Sequence, residues 1–242
     1  MKPSSLSALL AATIQAQAPV LITGAPGVGK SDIVQQAATT AGADLIIEHP
    51  VVADPTDFKG LPFVVAGDRA EFLPFGSLRQ LIEATSPLVY FLDDLGQAPP
   101  AVQAAAMQLI LARRINGHVV SDQVTFIAAT NRRSDRAGVT GLLEPVKSRF
   151  ATIINLEPDL DDWVKWALSA GQPYPGGQWE ANAFDPALDN GFPTELTAFI
   201  RFRPALLHDF KPTADLVNTS SPRTIANVGR SMTLPGLPRE LE

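Results

Sequence analysis

The stretch PVLITGAPGVGKSDIVQQAATT, residues 19–40, decides the fold. Val20–Thr23 is a short apolar run suited to a buried strand. The loop GAPGVGKS, Gly24 to Ser31, matches the phosphate-cradling pattern G-x-x-x-x-G-K-[ST] at every fixed position. Asp32–Thr40 then reads as a helix, with Gly42 placed to end it. A strand before the loop and a helix after it are the context such a motif requires. Gly24, Gly27 and Gly29 are expected to give the backbone conformations that a side chain would block. Successive N–H groups, with Ala25, Pro26 and Val28 between the glycines, then converge on phosphate oxygens. The helix that opens at Ser31 and Asp32 adds its positive end. Lys30 is expected to bridge the β- and γ-phosphates of a nucleotide, and the Ser31 hydroxyl to ligate Mg²⁺.

Composition narrows the rest. A chain of 242 residues that is 45% hydrophobic can bury a sizeable core. It has no cysteine, which excludes disulfides and thiolate metal sites. The three histidines, His49, His118 and His208, are far apart and read as structural or solvent-facing. The net charge of −6, with no basic run, argues against nucleic-acid binding by bulk charge. The N-terminal segment reads as an amphipathic helix with Leu6, Leu9, Leu10 and Ile14 on one side. Neither a signal peptide nor a membrane span is read, so a cytoplasmic protein is expected.

Further strands and helices follow the phosphate loop. Asp44–Glu48 reads as a second strand. Pro50, Pro55, Gly60 and Pro62 then exclude a long helix or a central strand. Two β-prone arms flank Gly67-Asp68 and suggest a hairpin, and Ser77–Ala84 reads as a helix. Leu88–Leu92 is a continuous apolar run ending in Asp93-Asp94, where open α/β sheets bind ligands. Asp93 is the candidate for holding Mg²⁺. Asp94 is the candidate for orienting and deprotonating an attacking water. Pro99–Ala112 reads as a helix with Val102, Ala106 and Leu109 on one stripe, and Asn116-Gly117 is a hairpin signal. Val124–Thr130 is another buried strand, ending at Asn131. That asparagine is either a turn residue or a hydrogen-bond partner of the water or γ-phosphate. Arg149 stands before a fifth strand in ATIINLEP, where a guanidinium assists phosphoryl transfer if a γ-phosphate is near.

This order of elements resembles the AAA+ ATPases, and among them the MoxR-type branch of the helix-2-insert clade. The strings HPVVADPTDFKGLP, FLDDLGQAPPAVQAAAMQLILARRI, FIAATNR, EPVKSRF and SPRTIANVGR carry the resemblance. It implies an α/β P-loop core: a five-stranded parallel sheet flanked by helices, two β-hairpin inserts and a small α-helical lid. In its terms Gly24–Ser31 is similar to Walker A, Asp93-Asp94 to Walker B and Asn131 to sensor 1. Arg149 is similar to the arginine finger that acts on a neighbouring subunit's nucleotide, and Arg223 to sensor 2. Arg132, Arg133 and Arg136 compete with Arg149 for that role. One position departs from the pattern: the family places Glu where this chain has Asp94, one methylene shorter.

From Glu157 onward the composition shifts. Asp159–Ala170 reads as an amphipathic helix, Gly171–Gln178 as a loop, and Thr194–Phe202 and Leu206–Phe210 as short helical pieces. Ser221–Met232 reads as a last helix, with Ser221 as N-cap and Pro222 at its first position. Two domains are expected, residues 1–156 as the nucleotide-binding core and 157–242 as the helical lid. The resemblance implies a Mg²⁺-dependent ATPase assembling into a homo-oligomeric ring, a hexamer, that remodels a protein partner such as a von Willebrand factor A domain protein. Two alternatives stand beside it: a nucleotide-switched binding module with slow or no hydrolysis, and a DNA-acting motor of the same clade.

Overall fold

The architecture comes from a computed structural model, which describes residues 1–65, 69–135, 141–169, 191–211 and 217–232. The expectations at Gly67-Asp68, Arg136 and Gly171–Gln178 lie outside these residues. The strands that the apolar runs predict are present: β1 (Val20–Thr23), β2 (Asp44–Glu48), β5 (Leu88–Leu92), β8 (Val124–Thr130) and β9 (Thr152–Asn155). They form one five-stranded parallel sheet in the order β2-β5-β8-β1-β9. β5 and β8 are buried at every residue. Continuous apolar runs serve such strands because both faces of a parallel sheet are covered.

The two faces sort by residue parity, since successive side chains point to opposite sides. Leu21, Tyr90, Leu92, Phe126 and Ala128 face one core, which is completed by α3 (Pro55–Lys59), α4 (Gly76–Glu83), α5 (Pro100–Ala112) and α6 (Glu144–Lys147). Val20, Ile22, Val89, Phe91, Ile127 and Ala129 face the other, under α1 (Pro3–Gln15) and α2 (Lys30–Thr40). α1 buries Leu6, Leu10 and Ile14, the side that its sequence periodicity marks, with Leu9 partly buried beside them.

Two hairpins stand off this sheet. β3 (Leu61–Val65) pairs antiparallel with β4 (Arg69–Leu73). β6 (Arg114–Ile115) pairs with β7 (His118–Val119) through Asn116 (φ 47°) and Gly117 (φ 88°), the two positive φ values that a type I′ turn requires. The hairpins touch each other. Asn116 Nδ2 donates to the Lys59 carbonyl at 2.8 Å, and His118 Nε2 lies 2.7 Å from the Phe72 carbonyl, a contact made with the Nε2-protonated ring.

A third apolar cluster joins α7 (Leu160–Ser169), α8 (Thr194–Phe202) and α9 (Pro222–Met232). Trp163, Val164, Ala167, Phe192, Leu196, Ile200, Leu207 and Ala226 are buried in it. Trp166 meets Phe192 edge-on at 5.4 Å. Asp162 of α7 accepts the Ser4 N–H at 2.8 Å, so it caps the start of α1 and ties the two parts together. One expectation is corrected here. Leu206–Phe210 is not a helical piece: a 3₁₀ turn covers Pro204–Leu207, and Asp209 then bridges to Ser220 in an antiparallel pair. Pro204 starts that turn, and the pairing draws the chain out as soon as it ends. Among the described residues no helix is long and apolar enough to cross a membrane.

Candidate functional site

The C-terminal ends of β1, β5 and β8 converge on one polar cleft, lined by Pro26, Gly27, Gly29, Lys30, Ser31, Asp93, Asp94, Asn131 and Arg223. The loop from Gly24 to Gly29 leaves β1, and Gly29 caps α2 in the left-handed region. Gly27 (φ +75°) and Gly29 (φ +91°) have the backbone that glycine alone adopts at little cost. Gly24 is constrained differently from the sequence reading. It has no positive φ, but a Cβ there would stand 3.0 Å from the Leu156 carbonyl, so crowding against the chain after β9 disfavours a side chain. The side chains of Ala25 and Val28 are buried in the core, leaving only their backbone to the cleft. α2 begins at Lys30, two residues earlier than the sequence suggests, which brings both Lys30 and Ser31 into its first turn.

The polar side chains form a linked network. Lys30 Nζ donates to Asn131 Oδ1 at 2.7 Å and to the Gly24 and Ala25 carbonyls at 3.1 Å. Asn131 Nδ2 donates to Asp94 Oδ1 at 3.1 Å. Ser31 Oγ donates to Asp93 Oδ2 at 2.6 Å, and Asp93 Oδ1 accepts the Asp94 N–H. Burial pulls the Lys30 ammonium down to about 8, against the opposing pull of the Asp94 and Asp93 carboxylates, so it still carries its proton at neutral pH. Burial raises Asp94, and the charge of Asp93 raises it further; Lys30, His49 and Arg223 act against this. Burial also raises Asp32, and Arg223 and Arg230 oppose it.

Asp94 has φ 57° and ψ 34°, a left-handed conformation, just before a 3₁₀ turn over Leu95–Gln97. Aspartate tolerates that region better than glutamate, because its short polar side chain bonds locally. The backbone therefore gives a physical reason for Asp at this position.

The second part of the chain reaches the phosphate loop through the first turn of α9. The Arg223 N–H donates to the Gly27 carbonyl at 3.0 Å. A Cβ on Gly27 would meet Ser221 Oγ at 2.5 Å and Ser221 Cβ at 3.0 Å. Sequence reading gave Ser221 only a capping role. Its side chain accepts the Thr224 N–H, as a cap should, and it also packs on the loop. His49 follows the last residue of β2 and is exposed, as the sequence reading has it.

Arg149 is not among the residues lining this cleft. It precedes β9, at the sheet end opposite the loop, and donates to Ser148 Oγ at 3.3 Å. A strand of four residues, about 13 Å, separates it from the site. Arg132 pairs with Asp135 at 3.1 Å, and Arg133 is exposed.

The loop fits phosphate, because its glycines leave a backbone cradle and Lys30 closes over it. Among the described residues no cluster of three or more His, Cys, Asp or Glu side chains forms a metal site. The Ser31–Asp93 pair fits Mg²⁺, which takes few protein ligands and completes its shell with phosphate oxygens and water.

Residues 19–150 match the model of the AAA domain, dynein-related subfamily. The RuvB Holliday junction branch migration motor of Thermotoga maritima is similar at 20% identity, over 67% of this chain and 46% of that one, with a TM-score of 0.45. NtrX from Brucella abortus is similar at 15% identity, over 89% of this chain and 54% of that one, with a TM-score of 0.48. The chain spans about half the length of these solved structures. No curated protein matches it.

Proposed function

The chain belongs to the AAA domain family, dynein-related subfamily, and on that premise we propose that it binds and hydrolyses Mg·ATP at the cleft around Lys30. The observation that carries the proposal is the joined pair of contacts at adjacent strand ends: Ser31 to Asp93 at 2.6 Å, and Lys30 through Asn131 to Asp94. These are the groups that phosphoryl transfer needs, already in hydrogen-bond range of one another.

In this reading the glycine-rich backbone holds the phosphates and Lys30 exchanges its carbonyl partners for phosphate oxygens. Ser31 and Asp93 would hold Mg²⁺, which would neutralise charge on the phosphate oxygens. Asp94 orients the attacking water and accepts its proton, with Asn131 fixing the carboxylate. Arg223, at the start of α9, lines the cleft and would meet the phosphates of a bound nucleotide. Two domains are proposed, residues 1–156 and 157–242, with α9 linking the lid to the loop.

Arg149 supplies its guanidinium to a neighbouring copy, because its distance from its own cleft bars it from acting there. This supports a homo-oligomeric ring, proposed as a MoxR-type hexamer acting in the cytoplasm on a protein partner such as a von Willebrand factor A domain protein. The test is ATP binding and phosphate release for wild type, Lys30→Ala and Asp94→Glu. Lys30→Ala is expected to lose at least 100-fold in turnover. A wild type that binds ATP but hydrolyses it no faster than Lys30→Ala rejects the enzyme reading.

The conformation of Asp94 favours a second reading. A short carboxylate, held on a left-handed backbone and tied to Asn131, reaches less far toward a water than glutamate does. In that reading the nucleotide switches assembly or partner affinity without sustained turnover, and Asp94→Glu restores hydrolysis.

A further inference from the structure

We propose that Asp162 is a positioning residue for Arg223: its carboxylate anchors α7 to α1, and that anchor holds the first turn of α9 against the phosphate loop. The proposal rests on reading the cleft as a nucleotide site. It starts from an incomplete cap. α1 opens at Pro3, which has no N–H, and the Lys2 side chain makes no capping hydrogen bond. The Ser4 N–H is met instead from 158 residues away, by Asp162 Oδ2 at 2.8 Å. Lys2 Nζ lies 3.9 Å from the other carboxylate oxygen, and the Asp162 side chain is only 8% exposed. A carboxylate suits a helix start, where N–H groups lack partners and the dipole is positive.

α1 is the fixed side of this bond. Its Leu6 and Leu10 are fully buried in the core under the sheet, and its Ile14 carbonyl accepts the Thr125 hydroxyl of β8 at 3.1 Å. α7 is the side that needs holding. Where the chain leaves β9 toward α7, the Glu157 N–H donates to the Met1 carbonyl at 3.0 Å. That contact pins the crossing point, and Asp162 fixes how α7 departs from it. From Asp162 the path to the cleft runs through packed side chains. Trp163 and Val164 are buried in one cluster with Ala226 of α9, three residues after Arg223. The Arg223 N–H donates to the Gly27 carbonyl at 3.0 Å, and Arg223 lines the cleft. A close-packed cluster passes a shift of one helix on to the next. The helical part is therefore held at both of these ends, and loosening the first reaches the second.

The test combines nucleotide binding with a readout that does not need it. ATP affinity is measured for wild type, Asp162→Ala, Asp162→Asn, Arg223→Ala and the double variant Asp162→Ala/Arg223→Ala. We expect Asp162→Ala to weaken ATP binding about fivefold, the low end for coupling between distant sites. Asp162→Asn keeps an acceptor for the Ser4 N–H and should stay within about twofold of wild type. In the Arg223→Ala background the loss of Asp162 should cost less than about twofold, a non-additivity that loss of a cap alone does not produce. In parallel, amide hydrogen exchange should show the Arg223 N–H opening about tenfold faster in Asp162→Ala, with the Phe91 N–H of β5 unchanged.

An Asp162→Ala affinity equal to that of wild type overturns the proposal. So does an equal loss in both backgrounds. Wild type without ATP binding overturns the nucleotide reading instead, and the exchange readout still decides the anchor: an Arg223 N–H that opens no faster in Asp162→Ala than in wild type overturns it.

Discussion

The strand-end cleft and the pair of hairpins treat polarity in opposite ways. At the cleft, polar and charged groups are buried and satisfied: Lys30 and Asn131 are each about 7% exposed, and both are hydrogen-bonded. On the hairpins, apolar groups are left in water: Phe63 is 61% exposed and Val64 69%, with Leu61, Phe72 and Leu73 exposed beside them. Burying an ammonium is costly unless it is paired, and exposed apolar surface is kept where contact with another molecule is gained. The cleft is therefore a site organised before its ligand arrives, whereas the hairpins form a surface whose stability owes little to its own apolar side chains.

This contrast can be attacked from both sides. The largest effect is expected at Gly27. Gly27→Ala places a side chain at φ +75° and against Ser221, and the backbone strain alone costs about 1–2 kcal/mol. Chemical denaturation should show that loss, and ATP affinity should fall with it. Wild-type stability in Gly27→Ala would show that the loop yields to α9 and is not preorganised.

A smaller effect is expected on the hairpins. Phe63→Ser should change stability by less than about 0.5 kcal/mol and leave ATP binding intact, while weakening assembly or partner binding. A large loss of stability would mean that the hairpin belongs to the folding core.

The smallest effect is expected at His208, beside the segment that follows Asn131. Burial lowers its proton affinity, and the nearby Arg132 lowers it further. The unfolded chain then binds the proton more readily, so this contribution to stability is complete above about pH 6.5 and is lost as pH falls through the lower folded value. His208→Gln should flatten the acid side of the stability profile slightly. An unchanged profile would mean that the ring is not held away from water.

Much of this molecule was legible in the chain. The runs Leu88–Leu92 and Val124–Thr130 are strands with the bounds that the sequence suggests, because a strand buried on both faces needs an unbroken apolar run and the polar residues after it end the run; Asp44–Glu48, at the sheet edge, keeps its expected bounds too. Asn116-Gly117 forms its turn because few other residue pairs accept two positive φ values. Within the cleft, the phosphate loop could be read from spacing alone. Other features had no local signal. Leu206–Phe210 has helix-compatible residues, yet pairing with Ser220 decides its shape. Gly24 looks like the other loop glycines, and only its approach to Leu156 sets it apart.

The residues by themselves determined the strand-loop-helix unit, the acidic strand end and the candidate groups for nucleotide chemistry, because these depend on local spacing and on apolar periodicity. Tertiary structure alone decided which strand lies beside which. That order sets Asn131 beside Asp94, rests α9 on Gly27 and holds Arg149 a strand's length from its own cleft. Neighbours in a parallel sheet are separated by whole helices along the chain, so no short pattern can record their contacts.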